Sequence, residues 1–408
     1  MAALRQPPFL VYTVGRFASG AGSNMLQAAL AWEVYEISHD PFALGVMGLV
    51  RFVPQLLLAL FAGAVADAVD RRGLVIASQI ATLLCAAVLL FASMTHHSSL
   101  LLIYAVIVLI ALASEFEHPA RLSMLASIVR PETFQNAITV SQTFGALASI
   151  SGPALAGLGI ATVGVAGAYG GFVALQIASI VSSVLLRPRD VEGERGEVSL
   201  GAIKEGLRFV LGHEVLMACM SLDLVAVIFG GAEALLPVYA TDVLHVGGIG
   251  YGILAASMNA GGLLAAVGLV AFPQIQRPGR ALIAAVAGFG LATIWFGLSR
   301  SLPLSVAAYA MVGMSDQVSN VMRSTTENIA TPDALRGRMN SVSSLFSGTS
   351  NQLGAVESGF VAAAMTPTFA VVTGGIGCLI ALGLVHLLAP HLWRYRIEDL
   401  EAEAAGGA

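Results

Sequence analysis

The chain has 408 residues, of which 57% are hydrophobic and only 11% charged, and its formal net charge is −5. A soluble globular domain carries about 25% charged residues, so the composition excludes a soluble enzyme or binding module and implies a polytopic membrane protein. Cys85, Cys219 and Cys378 all lie in apolar runs, where small buried hydrophobes are expected rather than a disulfide or a metal centre.

Apolar runs fall near 9–37, 41–66, 73–94, 98–125, 134–160, 164–186, 214–241, 248–272, 280–299, 302–326, 339–364 and 368–390. A bilayer-spanning helix needs about 20 residues, so the runs predict an all-α fold of about twelve transmembrane helices. The first run has no small-residue cleavage pattern and reads as a span, not a signal peptide. If the spans alternate, Arg5, Arg71, Arg72, Arg130, Arg187, Arg189, Arg195, Lys204, Arg208, Arg277, Arg280, Arg336, Arg338, Arg394 and Arg396 fall on one side. Only Arg300 lies clearly in an opposite loop, so the positive-inside rule places both termini in the cytoplasm.

Helix 1 carries a polar stripe at helical spacing, Tyr12, Arg16, Ser19, Ser23 and Gln27, with Asn24 at its border and Glu33 on another face. Helix 2 has Arg51 and Gln55 on one face, Arg51 being a candidate counter-charge for an acid elsewhere. Between helices 2 and 3 lies Gly63-Ala-Val-Ala-Asp67-Ala-Val-Asp70-Arg71-Arg72-Gly73, a short charged turn. Helix 4 ends with Glu115, Glu117, His118 and Arg121. Glu117 and Arg121 are spaced i,i+4 with the acid first, the favourable order for a structural ion pair. Glu115 has no sequence-local basic partner except His118, which suits a carboxyl that takes up and releases protons. Helix 5 carries Gly145, Gly152, Pro153 and Gly157; glycines thin a helix for close packing and proline permits bending.

The interval Arg187–Ser199 is the longest polar stretch and reads as a linker, followed by an amphipathic segment, Leu200–Leu211, expected on the membrane surface. The domains expected are residues 1–186, a six-helix bundle; 187–212, the linker; 213–390, a second six-helix bundle; and 391–408, a tail. Helix 7 adds Asp223 and Glu233, and helix 10 a stripe of Asp316, Asn320, Arg323 and Glu327, the last two forming a second structural ion pair. Helix 11 adds Asn340, Ser343, Ser347, Ser350 and Glu357. An internal repeat supports two halves: Ile128-Val-Arg-Pro131-Glu132 resembles Ile329-Ala-Thr-Pro332-Asp333, and Gly152–Gly157 resembles Gly354–Gly359.

Gly63, Asp67, Arg71 and Arg72 fall on the helix 2–3 signature G-x-x-x-D-(R/K)-x-G-R-(R/K), and on these residues the chain resembles the major facilitator superfamily. It departs from the signature at Ala68, where a basic residue stands, and at Asp70, where a glycine stands. Pro119-Ala-Arg-Leu-Ser-Met-Leu125, Leu335-Arg-Gly-Arg-Met-Asn340 and Met365-Thr-Pro367 are similar to the branch containing the enterobactin exporter and macrolide efflux proteins. The resemblance implies two six-helix bundles related by a parallel repeat, with substrate held between them. It also implies that the helix 2–3 turn acts as a cytoplasmic gate. Cavities in this family are lined mainly by helices 1, 4, 7 and 10, so Arg16, Ser19, Ser23, Asn24, Gln27, Arg51, Asp316 and Asn320 become candidate substrate contacts. The glycine-proline pattern of helix 5 resembles that of export-type members.

The function implied is export of a small amphipathic molecule, a siderophore or drug-like compound, by a monomeric proton antiporter in a bacterial inner membrane. Glu115, Asp223, Glu233, Asp316 and Glu357 are the candidate proton carriers. The alternatives are a transporter of lysolipid or another metabolite without proton coupling, and a non-transporting sensor or scaffold. No enzyme is expected, since no nucleophile–base pair or metal-ligand set is apparent. No P-loop, cofactor motif or basic aromatic patch for nucleic acid is visible either.

Overall fold

The computed structural model describes residues 6–68, 71–129, 133–186, 208, 210–271, 275, 277–332 and 335–388. Within them every regular element is helical, and twelve long helices follow one another. They are α1 (Pro7–Ser38), α2 (Pro41–Ala68), α3 (Arg71–Met94), α4 (Leu100–Ile128), α5 (Phe134–Val163) and α6 (Val165–Leu185), then α7 (Glu214–Phe229), α8 (Gly247–Ala271), α9 (Pro278–Leu298), α10 (Leu302–Ala330), α11 (Arg336–Ala364) and α12 (Pro367–Leu388). The linker expected at 187–212 lies largely outside the described residues, and the tail at 391–408 wholly so.

Local chemistry sets the ends. Proline in the first turn opens α1, α9 and α10, where its fixed φ suits the helix and its missing N–H costs nothing. α5 stops at Gly164, whose φ of 80° only glycine adopts freely, and the next residue begins α6. The seventh span differs from the continuous helix that its apolar run suggests. α7 ends at Phe229, Gly230 and Gly231 interrupt it, and the chain goes on through a 3₁₀ turn (Ala232–Leu235), a helical turn at Pro237 and a π turn (Tyr239–Val243). Two successive glycines and a proline lower helix propensity there. The glycines also admit close neighbours: a Cβ on Gly231 would lie 2.5 Å from the Gly354 carbonyl oxygen of α11.

Seven of the described helices are long and apolar enough to cross a membrane, and shorter apolar stretches occur in α2 and α4. Their outward side chains are apolar as well. Phe91 is 71% exposed, Leu101 81% and Val270 88%, an arrangement that water would penalise and lipid tails accept. The fold is that of a polytopic, all-α membrane protein.

The chain forms two compact units. The first comprises Met1–His39, Val50–Val198 and His245–Ala256; the second comprises Asp40–Leu49, Ser199–Leu244 and Ser257–Ala408. In the first, α1 packs on α4, α5 and α6, α3 packs on α4 and α6, and α5 packs on α6. In the second the same scheme recurs six helices later: α7 packs on α10, α11 and α12, α9 packs on α10 and α12, and α11 packs on α12. Each unit is thus a helix bundle, and the two share one internal plan; α2 and α8 each contribute residues to both units. Small residues make the tightest crossings. In the first unit Gly157 of α5 faces Gly252 of α8, and in the second Gly313 of α10 lies on the backbone of α8 at Met258.

Candidate functional site

In the first unit the polar stripe of α1 divides by depth. Arg16, Ser19 and Asn24 are half-buried, Ser23 and Gln27 are exposed, and Tyr12 lies in the core against Phe9 and Val75. The Arg16 Nε donates to the Ser141 carbonyl of α5 at 3.4 Å. A Cβ on Gly145, one turn further along α5, would sit 3.7 Å from the Arg16 Nη2, an ordinary contact distance. Asn24 donates to the Gly20 carbonyl of its own helix at 2.8 Å. Arg51 of α2 reaches the Gln27 side-chain oxygen at 3.4 Å, so two candidate contacts from different helices meet. Pro153 is buried beside Gly152, and its carbonyl lies against Gly252. Glu115 is half-buried in α4 and has no hydrogen bond or ion pair among the described residues.

In the second unit Asp223 and Glu327 gather around one cation. Arg323 of α10 bridges to Asp223 of α7 at 3.1 Å and, more loosely, to Glu327 at 4.0 Å. Its guanidinium also donates to Ser347 of α11 at 3.2 Å and to Asn320 at 3.3 Å. The Ser343 hydroxyl of α11 meets both Glu327 carboxyl oxygens, at 3.1 and 3.3 Å. Asp316 is half-buried two turns before Arg323 and within electrostatic reach of Asp223, Arg323 and Glu233. Glu233 is exposed just beyond the break in α7. Glu357 stands apart on α11 and takes a hydrogen bond from Ser358 at 3.2 Å.

Of the helix 2–3 motif, Gly63 lies within α2, and the side chains of Asp67 and Arg71 lie outside the described residues. Arg72 is described: it donates to the Ser183 and Val184 carbonyls at 3.4 and 2.5 Å. These are carbonyls at the end of α6, which no further turn satisfies, so the cation holds α3 to a helix C-terminus. The Arg121 side chain also lies outside the described residues. Glu117 receives a bond from Gln79 of α3 at 3.1 Å.

Three polar arrangements were not legible from spacing. Asp223 and Arg323 are a hundred positions apart in the chain, and only the rule that an intramembrane charge needs a partner points from one to the other. Glu33, set aside as lying off the stripe, is buried and accepts a hydrogen bond from Tyr169 of α6. Gln79 is buried and also joins Ser179 and Ser183 of α6, at 3.0 and 3.2 Å.

The comparisons with known proteins agree with this architecture. The family model described as "Transmembrane secretion effector" matches residues 1–404. Among curated proteins, the enterobactin exporter EntS of Escherichia coli O157:H7 is 24% identical over 401 residues, covering 98% of this chain and 96% of its own. That of Citrobacter koseri is 24% identical over 393 residues, covering 96% and 94%. Among solved structures, the nucleoside transporter NupG superposes with a TM-score of 0.73 at 12% identity, covering 96% of this chain and all of its own. A bacterial homologue of the human lysosomal transporter Spinster, in an inward-facing and unoccupied conformation, superposes with a TM-score of 0.70 at 16% identity, covering 96% and 98%. An all-α chain of twelve long helices in two units with one shared plan, matched over almost its whole length, belongs to the transmembrane secretion effector family of major facilitator transporters.

Proposed function

We propose that this transporter exports a small amphipathic molecule, siderophore-like or drug-like, from the cytoplasm by alternating access in exchange for protons. It would act as a monomer in the inner membrane of a bacterium, with both termini in the cytoplasm. The observation that carries this reading is the set of ionisable side chains inside apolar helices, among them Arg16, Arg51 and Glu115 in one unit and Asp223, Asp316 and Arg323 in the other. A charge at such depth costs about 2.5–3.5 kcal/mol on insertion scales, and it is retained where a substrate or ion is handled. Export is supported by the glycine-proline pattern of α5 and by relatives named as exporters.

In this reading Arg16, Ser19, Ser23, Asn24, Gln27, Arg51, Asp316 and Asn320 contact the cargo, and Gly63, Asp67, Arg71 and Arg72 form the cytoplasmic gate. A carboxyl among Glu115, Asp223, Glu233, Asp316 and Glu357 loses its proton in the cytoplasm-facing state, where cargo binds. It regains one in the opposite state, where cargo leaves. Proton and cargo then favour different conformations, and each lowers the affinity for the other by the same factor.

Efflux from proteoliposomes under an imposed pH gradient tests this, with a catecholate siderophore, a macrolide and a lipophilic cation offered in parallel. Movement of one that follows the gradient is the expected result. Movement that ignores the gradient removes proton exchange and keeps transport. Failure of all three, with a lysolipid moving instead, replaces the cargo class.

A further inference from the structure

We propose that Glu327, set in the buried cluster Asp223–Arg323–Glu327, is the proton-binding side chain of the second unit, with Asp223 as the fixed counter-ion of Arg323. This assignment rests on the proton-exchange reading and departs from its candidate acids, since Glu327 was expected only as a structural partner.

The argument is one of charge balance. The side chains of Arg323, Asp223 and Glu327 are 7%, 10% and 6% exposed. One guanidinium cannot neutralise two buried carboxylates, and an uncompensated charge inside a protein within a bilayer is costly. The cluster balances when one carboxyl holds a proton. Distance distinguishes the two acids. Asp223 is in direct contact with Nη1 at 3.1 Å, whereas Glu327 stands off at 4.0 Å.

The partner of Glu327 fits a group that changes protonation. The Ser343 hydroxyl lies at 3.1 and 3.3 Å from the two carboxyl oxygens. A hydroxyl donates to a carboxylate and accepts from a carboxylic acid, so Glu327 keeps a partner in either form. Asp223 is held by a guanidinium, which only donates, so its neutral form would forfeit the charge-assisted contact.

The neighbours supply no second cation among the described residues. From α7 come Cys219 and Asp223, and from α10 Asp316 and Arg323; α11 brings Ser343 and Ser347, with Glu357 further along and, in its first turn, Arg336 and Arg338, whose side chains lie outside the described residues. The stretches of α9 from Ala281 to Leu298 and of α8 from Ser257 to Ala271 contain no titratable side chain. Asp316, two turns earlier on α10, adds a further negative charge within electrostatic reach of Arg323 and Asp223, which deepens the excess that a proton on Glu327 relieves. The cluster also joins α7, α10 and α11, which places the proton where it bears on the packing of three helices.

The test is infrared pH-difference spectroscopy on the full chain reconstituted in lipid, comparing Glu327→Gln with Asp223→Asn, Asp316→Asn and Glu115→Gln. The expected result is a titrating carboxylic-acid band that is lost in Glu327→Gln and kept in the other three. A band that survives in Glu327→Gln, or that disappears instead in another variant, overturns the assignment. If Glu327→Gln does not fold, Glu327→Asp decides: a displaced band supports the site and an unmoved band refutes it. Burial of Cys219, read by alkylation in a Cys85→Ser/Cys378→Ser background, reports whether each variant is packed. Failure of this assignment is separable from failure of proton exchange. Efflux that follows the gradient in both wild type and Glu327→Gln sinks only the former, and wild-type efflux that ignores the gradient sinks the latter.

Discussion

The Tyr169 hydroxyl of α6 donates to the carboxyl of Glu33 in α1, with both side chains buried inside the first unit. One turn before the end of α1, a carboxyl meets the negative end of the helix dipole, so the hydroxyl is a substantial part of what makes the site tolerable. Tyr169→Phe removes the donor and leaves the acid in place, at a cost of about 1–3 kcal/mol. Glu33→Gln retains an acceptor for the hydroxyl and should cost less. Thermal unfolding in detergent would rank the two, and equal losses would mean that the hydrogen bond contributes little.

Arg323 should be more expensive to remove alone than together with its partner. Arg323→Met leaves Asp223 as a buried, unpaired carboxylate, and breaking such a pair costs about 3–5 kcal/mol. Adding Asp223→Leu removes the stranded charge, so the double variant should recover part of the lost stability in the same unfolding assay. If Glu327 is already neutral, adding Glu327→Gln to the double variant changes little. Strictly additive losses from Arg323→Met and Asp223→Leu would contradict a coupled pair.

The helices were legible because the length and polarity of an apolar run are local properties; α3 begins and ends within two residues of its run. The interruption of the seventh span was also written locally, in Gly230, Gly231 and Pro237, but a uniformly apolar run conceals it. Partners were not local. Spacing on α10 puts Glu327 beside Arg323, whereas the closer contact comes from Asp223 on another helix. Tyr12 shares the helical spacing of the Arg16 stripe yet sits in the core with Phe9, because a phenol ring can serve either environment and periodicity does not say which. The segment Gly63–Arg72 is helical up to Ala68 and again from Arg71, and what marks it in the sequence is its resemblance to a family pattern, not any contact that spacing could reveal.

Gly152 and Gly170 make a matched pair of opposite sign. A Cβ on Gly152 would lie 2.5 Å from the Ala21 carbonyl oxygen and 2.6 Å from the Asn24 Cβ, so α1 and α5 would have to part. Gly152→Ala should cost about 1–3 kcal/mol, as overpacking does. Gly170 in α6 has nothing within 4 Å of the same position, so Gly170→Ala should be neutral or stabilising by about 0.5–1 kcal/mol, the helix penalty of glycine. Unfolding temperatures that move in the same direction would count against the close α1–α5 contact.

Gln79 is the polar junction of α3, α4 and α6. Its amide nitrogen donates to Glu117 and Ser179, its side-chain oxygen accepts from Ser183, and its backbone carbonyl accepts from Gln176 at 3.2 Å. Gln79→Leu preserves the backbone bond but deletes the three side-chain bonds. Ser183 would remain satisfied, because its hydroxyl also reaches the Ser179 carbonyl at 3.0 Å. The loss therefore falls on buried Ser179 and on one of the contacts of half-buried Glu117, and losing bonds of this kind costs about 1–3 kcal/mol. Gln79→Glu tests the sign of the charge: it keeps the shape but sets a second carboxyl against Glu117, and it should be worse than leucine. A Glu variant as stable as wild type would mean that a proton or a nearby cation satisfies the junction, and the amide donor would lose its assigned importance.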